Sequence, residues 1–209
     1  MPLTVEVLDL GINNLASLRR GLSNAGARNL QVIATAEESK GATLLVLPGV
    51  GAFGAAVDEL TSRGLDDTIR HHVARGGYLV GVCLGMQLLA SGSEESPGVR
   101  GLGLVPGEVR RLEPGAQDRV PNMGWSESTA TRPDDAFPVL HRDVDYYFVH
   151  SYAVAPECDD DILATSTFGE TSFVSAIQRD NVLGVQFHPE KSSRPGAQFL
   201  VEVLEWANG

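Results

Sequence analysis

The stretch YLVGVCLGMQLL, Tyr78 to Leu89, decides how this chain folds. Tyr78 to Val82 is a short apolar run of the kind buried in a parallel sheet. Met86 to Leu89 starts a helical pattern, so the strand turns into a helix through Gly81-Val82-Cys83-Leu84-Gly85. A residue at such a turn adopts a strained backbone, and glycines on either side let neighbouring chain pass without Cβ clashes. Cys83 is thereby pushed out of the fold at a helix N-terminus, where partial positive charge and free N–H groups favour thiolate over thiol and can hold an oxyanion. The plain alternative is a small buried hydrophobe, the usual place of a free cysteine. The flanking glycines favour the nucleophile.

Upstream, Val5 to Leu10 and Leu44 to Leu47 read as strands. Leu15, Leu18, Leu22 and Ala25 share one helical face, and Leu65 to Arg75 supplies another helix. Repetition of strand, helix and strand predicts a parallel sheet. Downstream, Gly101 to Leu112, Tyr147 to Val154, Ile162 to Ser166, Val174 to Gln178 and Val182 to Phe187 read as strands separated by turns, and a closing helix runs from about Pro195 to Trp206. Residues 1–209 are expected to form a single α/β domain. Its sheet should be open and mostly parallel, flanked by helices, with additional mixed or antiparallel strands in the second half.

Composition narrows the function classes. The apolar fraction of 43% and charged fraction of 21% suit an ordinary globular protein, and no apolar run is long enough for a bilayer. MPLTVEVLDL lacks the basic and apolar regions of a secretory signal, so a cytoplasmic location is expected. A net charge of −11 argues against nucleic acid as a partner. Two cysteines in such a chain are expected to be reduced thiols, and Cys158, in the acidic loop PECDDD, carries no expected role. Neither a P-loop, a dinucleotide glycine motif nor clustered metal ligands appear, so no cofactor and no metal are expected.

A cysteine nucleophile needs a base. His71 and His72 end a polar helix without an acidic neighbour to orient them, and His141 lies in a turn-like stretch. His188 differs, because it ends the strand Val182 to Phe187 at the edge where active sites of parallel sheets form. Glu190 follows beyond Pro189, which fixes the local chain direction. A carboxylate there can hold one imidazole nitrogen so that the other faces the thiol. Cys83, His188 and Glu190 are the expected nucleophile, base and orienter. A structural histidine at a strand end is the alternative for His188.

Taken together, GVCLGMQLL and QFHPEKS resemble the class-I, triad-type glutamine amidotransferases over essentially the whole chain. LPGVGAFGAAV (Leu47 to Val57), GLGLVPGEVRRL (Gly101 to Leu112), PNMGW (Pro121 to Trp125) and YYFVHSY (Tyr146 to Tyr152) are similar to one branch of that family. In that branch a (βα)8-barrel cyclase subunit consumes the ammonia and makes imidazole glycerol phosphate and AICAR in histidine biosynthesis. PNMGW and HPEKS fit the branches feeding pyridoxal phosphate or anthranilate synthesis less well. The resemblance implies a flavodoxin-like sheet, glutamine as substrate and a heterodimer with the cyclase. It further implies that Val50 and Leu84 donate backbone N–H groups to the oxyanion, and that Gly49 and Gly51 flank a movable loop at the substrate. Gln87 would pair with polar groups of glutamine, and the backbone of His150 and Ser151 would hold the amino-acid end. Asn14, Asn122, Trp125, Tyr147 and Lys191 would lie on the partner-facing rim. Two stretches depart from the family pattern: Asp9 to Asn14 lacks the usual tyrosine and second glycine and carries Asn13, and Ser126 stands where asparagine usually follows GW.

Overall fold

The computed structural model describes residues 3–11, 15–115, 118–132, 136–142 and 144–209. The first half alternates strand and helix: β1 (Thr4–Leu8), α1 (Leu15–Ala25), β2 (Asn29–Ile33), β3 (Leu44–Gly49), α2 (Phe53–Ser62), α3 (Leu65–Ala74), β4 (Tyr78–Cys83) and the single turn α4 (Leu84–Leu88). Strands then dominate: β5 (Gly92–Ser93), β6 (Gly107–Arg111), β7 (Asn122–Ala130), β8 (Val144–His150), β9 (Tyr152–Pro156), β10 (Ile162–Phe168), β11 (Thr171–Arg179) and β12 (Val182–Val185), before α5 (Ser193–Trp206) closes the chain.

Among the described residues, nine strands form one sheet in the order β2-β1-β3-β4-β12-β11-β10-β7-β8. From β2 to β12 the pairings are parallel; from β12 to β8 they are antiparallel. The fold class is thus an α/β sheet with a parallel half and an antiparallel half. Side-chain alternation explains why both faces are covered. Leu44, Val46, Val80 and Val82 point into a core shared with Leu18 and Leu22 of α1 and Phe199 and Leu200 of α5. Leu45, Leu47 and Leu79 point the other way, against Phe53, Leu60, Leu65 and Ile69 of α2 and α3. A second sheet, β5-β6-β9, lies beside this layer. No helix among the described residues is long and apolar enough to cross a membrane.

Several boundaries differ from the sequence expectation. β1 stops at Leu8, and β2, α2 and β7 are elements that the periodicity did not reveal. Only Gly107–Arg111 of the expected strand Gly101 to Leu112 is a strand. The preceding N–H groups of Leu102, Gly103, Leu104 and Val105 donate to the carbonyls of Leu88, Ala90 and Leu89, capping the end of α4 rather than extending a ladder. The expected strand Tyr147 to Val154 is broken at Ser151: β8 pairs with β7 in the large sheet, and β9 pairs with β6 in the small one. The Ser151 carbonyl at the break accepts the Leu112 N–H at 2.9 Å.

Candidate active site

β4 carries Cys83 to the carboxyl edge of the parallel half, between β3 and β12. Cys83 has φ 54° and ψ −108°, a conformation that L side chains rarely adopt. Close-packed backbone on both flanks enforces it. A Cβ at Gly81 would lie 2.6 Å from the Gly85 carbonyl oxygen, and one at Gly85 would lie 1.7 Å from the Leu47 carbonyl oxygen. Both glycines of the turn are therefore steric requirements, and Cys83 is only 5% exposed, buried beside the core rather than pushed out of the fold as the turn alone predicts.

β12 runs on into His188. Its Nδ1 lies 2.9 Å from Oε1 of Glu190, and both side chains are buried. Its other ring nitrogen, Nε2, is buried and has no hydrogen-bond partner among the described residues. Burial pulls the imidazole pKa down, but the neighbouring Cys83 and Glu190 outweigh that and raise it to about 9. The ring is thus a proton carrier at neutral pH. Its backbone is clamped: the His188 N–H donates to the Tyr147 carbonyl at 2.9 Å. The buried Ser192 hydroxyl donates to the His188 carbonyl at 2.7 Å and accepts the Tyr147 N–H at 2.9 Å.

The structure brings the β3 loop to the same place. Gly49 stands opposite Cys83 in the parallel register, and a Cβ on it would meet the Leu84 side chain at 3.1 Å. Gly51 has φ 108°, and Val50 between them is 38% exposed. Gly49, Val50, Val82, His188, Glu190 and Lys191 border one small cleft.

Gln87 sits differently from a residue open to the cleft. Its side chain is buried, and its amide nitrogen donates to the Tyr152 carbonyl at 2.9 Å and to Gln186 Oε1 at 3.1 Å. The His150 ring is also internal, with Nδ1 2.8 Å from the same Tyr152 carbonyl and Nε2 3.2 Å from Asn122 Nδ2. Burial, the largest influence, lowers its pKa to about 4, so the ring is neutral. Because a carbonyl only accepts, Nδ1 carries the hydrogen and Nε2 accepts from Asn122. Asn122 is itself buried, so its side chain faces the interior rather than the rim. Ser151 marks the break between the two sheets.

On the outer face of β7 and β8, Met123 and Trp125 are 63% and 51% exposed. The Trp125 and Tyr147 rings meet edge to face with centroids 5.9 Å apart, and Lys191 Nζ lies 5.7 Å from the Tyr147 centroid. Asn14 and Asn13 lie outside the described residues. Among the described residues no group of three or more acidic, histidine or cysteine side chains is placed to hold a metal.

Gln186 was not singled out by sequence. It is fully buried, and its amide nitrogen lies 3.6 Å from Cys83 Sγ. The available signal was an amide inside the apolar run VLGVQF, since a buried polar group requires a partner.

A family model described as glutamine amidotransferase class-I matches residues 6–205. The imidazole glycerol phosphate synthase subunit HisH of Moorella thermoacetica is 43% identical, over 94% of this chain and 91% of its own length. The imidazole glycerol phosphate synthase hisHF of Emericella nidulans is 38% identical over 98% of this chain, which corresponds to 38% of that longer protein. Among solved structures, a crystal structure of a glutamine amidotransferase superimposes with a TM-score of 0.74 at 20% identity, covering 97% of this chain and 99% of the other, a likeness of fold.

Proposed function

This chain belongs to the class-I glutamine amidotransferase family, and from that premise we propose that it is the glutaminase subunit of an imidazole glycerol phosphate synthase. It hydrolyses glutamine to glutamate and ammonia, and a (βα)8-barrel cyclase subunit, bound as a heterodimer, uses the ammonia to make imidazole glycerol phosphate and AICAR for histidine biosynthesis. In the longer hisHF protein a segment similar to this chain is covalently joined to further sequence, which is what a stable partnership between two activities would favour. The nine-stranded sheet supports treating residues 1–209 as one amidotransferase domain.

The observation that carries this reading is the buried imidazole of His188, held by Glu190 at 2.9 Å and electrostatically tied to a cysteine in a strained strand-to-helix turn. Cys83 thiolate attacks the side-chain carbonyl carbon of glutamine. The resulting oxyanion is held by the backbone N–H groups of Leu84 and Val50, each such donor being worth ~10²-fold or more in rate. As the C–N bond breaks, imidazolium His188 gives its Nε2 proton to the departing ammonia, leaving a glutamyl thioester on Cys83. His188, now neutral, takes a proton from water, whose oxygen attacks the thioester; glutamate leaves and the thiolate returns. Glu190 keeps the ring oriented and stabilises its charged form.

Gly49 to Gly51 form the adjustable wall of the site. Among the described residues no backbone acceptor takes the Val50 N–H. Turnover in isolation is expected to be weak, with the partner ordering this loop. Glutamate release with and without the cyclase tests the proposal. Stimulation by the partner and loss in Cys83→Ser are expected; undiminished turnover by Cys83→Ser would sink it.

A further inference from the structure

A hydrogen-bonded chain runs from the backbone of the small sheet to the sulfur of Cys83, and its direction is fixed at one end. The Tyr152 carbonyl can only accept, and it takes hydrogens from His150 Nδ1 and from Gln87 Nε2. That sets which end of the Gln87 amide faces Tyr152. The same nitrogen is 3.1 Å from Gln186, so Gln186 presents its oxygen there and must turn its own nitrogen the opposite way. That nitrogen lies 3.6 Å from Cys83 Sγ. Each amide thus orients the next, and the last link is an N–H directed at the sulfur.

We propose that Gln186 is a further residue of the catalytic centre, an N–H donor that stabilises the Cys83 thiolate, with Gln87 acting as the positioning residue that keeps Gln186 from flipping. This deepens the amidotransferase reading and rests on Cys83 being the nucleophile. A donor aimed at a buried anion is worth more than one in water, since the low-polarity surroundings screen it little. Gln186 is fully buried and Gln87 nearly so. The alternative orientation would place the Gln186 carbonyl oxygen against the sulfur and leave two amide nitrogens facing each other, both unfavourable.

The remaining surroundings of the sulfur do not duplicate this role. His188 and, behind it, Glu190 are the titratable groups on the β12 side. β8 brings the Val149 carbonyl, an acceptor 3.9 Å from Sγ that suits the thiol but not the thiolate. His150, further along the same wall, is neutral. Gln186 therefore supplies an uncharged donor that persists when His188 has given up its proton in the second half of the reaction.

The test is the pH dependence of Cys83 alkylation by iodoacetamide, followed by peptide mass spectrometry in a Cys158→Ala background so that the exposed second thiol does not consume reagent. Gln186→Met keeps the volume and removes the donor. Its alkylation profile is expected to move about one pH unit upward, a tenfold smaller thiolate fraction at a fixed pH below the midpoint. Glutaminase kcat in complex with the cyclase should fall about tenfold, with KM within twofold, because the donor touches the nucleophile and not the substrate. Gln87→Met should shift the profile in the same direction by less, and the double variant should shift it no further than Gln186→Met alone. An unchanged profile in a folded Gln186→Met protein overturns the proposal. If that variant does not fold, an unchanged profile in Gln87→Met overturns it equally. Failure of the underlying reading would register elsewhere, as undiminished glutamine hydrolysis by Cys83→Ser.

Discussion

The backbone N–H of His188 donates to the carbonyl of Tyr147 at 2.9 Å, so the imidazole hangs from the strand whose outer face carries the Trp125–Tyr147 ring pair. Docking against that face would bear on the base through a single peptide. Trp125 is half-exposed and contributes little to the isolated fold, so Trp125→Ala should leave the unfolding free energy within about 0.5 kcal/mol. As an aromatic anchor of the proposed interface it should cost about 2 kcal/mol of cyclase binding, or roughly 30-fold in Kd. Titration calorimetry checks this, and affinity within twofold of the parent would remove the pair from the interface.

Glu190→Gln removes a charge that helps lift His188 to about 9. Because the folded pKa is above the ordinary 6.5, the protonated ring contributes stability that is fully present below pH 6.5 and lost as pH rises through about 9. The variant should be less stable than the parent at pH 6, with the gap narrowing toward pH 9. Urea unfolding at several pH values measures the gap, and an NMR titration of His188 should show its midpoint lowered. Glutaminase activity should drop by ~10² to 10⁴ through loss of ring orientation.

Gly85→Ala tests the turn itself. Its Cβ would sit 1.7 Å from the Leu47 carbonyl oxygen, so β3 must move away from β4 at the base of the site. A cost above about 4 kcal/mol, or failure to accumulate as soluble protein, is expected from forced backbone displacement. A variant within 1 kcal/mol of the parent would show slack in the strand-to-helix junction.

Tyr146→Phe should run the other way. The Tyr146 ring stacks on Phe187 at a centroid distance of 4.0 Å, but its buried hydroxyl has no hydrogen-bond partner among the described residues. Burial, followed by the nearby charge of Glu202, raises the hydroxyl pKa far above its ordinary value, so it stays neutral. Removing an unsatisfied polar atom while keeping the ring should be neutral or stabilising by up to about 1 kcal/mol in urea unfolding. A loss of more than 1 kcal/mol would reveal a bound water satisfying the oxygen.

The parts of this architecture legible in sequence were those where sterics or burial leave few residue choices. Gly81 and Gly85 marked the turn because no side chain fits there, and the runs at Leu44 and Tyr78 marked strands covered on both faces. β7 escaped notice because NMGWSESTA has exposed Met123, Trp125 and Glu127 on one side and few β-branched residues on the other. β2 is only partly buried as far as Ile33, and α2 opens on FGAAV, where small residues blur the helical period. At the site, the sequence placed Cys83 and His188 at adjacent strand ends. It left out the lateral wall, because Gln87 and Gln186 are 99 positions apart and meet only after β12 has paired with β4. Burial of the Asn122 and His150 side chains was equally a product of packing between strands.

The break at Ser151 means that one continuous segment serves two sheets, and the carbonyl that orients the amides beside the thiol belongs to the first residue of β9. Shifting β9 along β6 by a single residue would turn that carbonyl to the opposite edge of its strand, toward β6 and away from Gln87 and His150, while leaving the nine-stranded framework assembled. Mispairing in a three-stranded ribbon at the periphery would therefore produce soluble, native-looking molecules that are idle, and specific activity per folded chain becomes a gauge of how faithfully that ribbon has aligned.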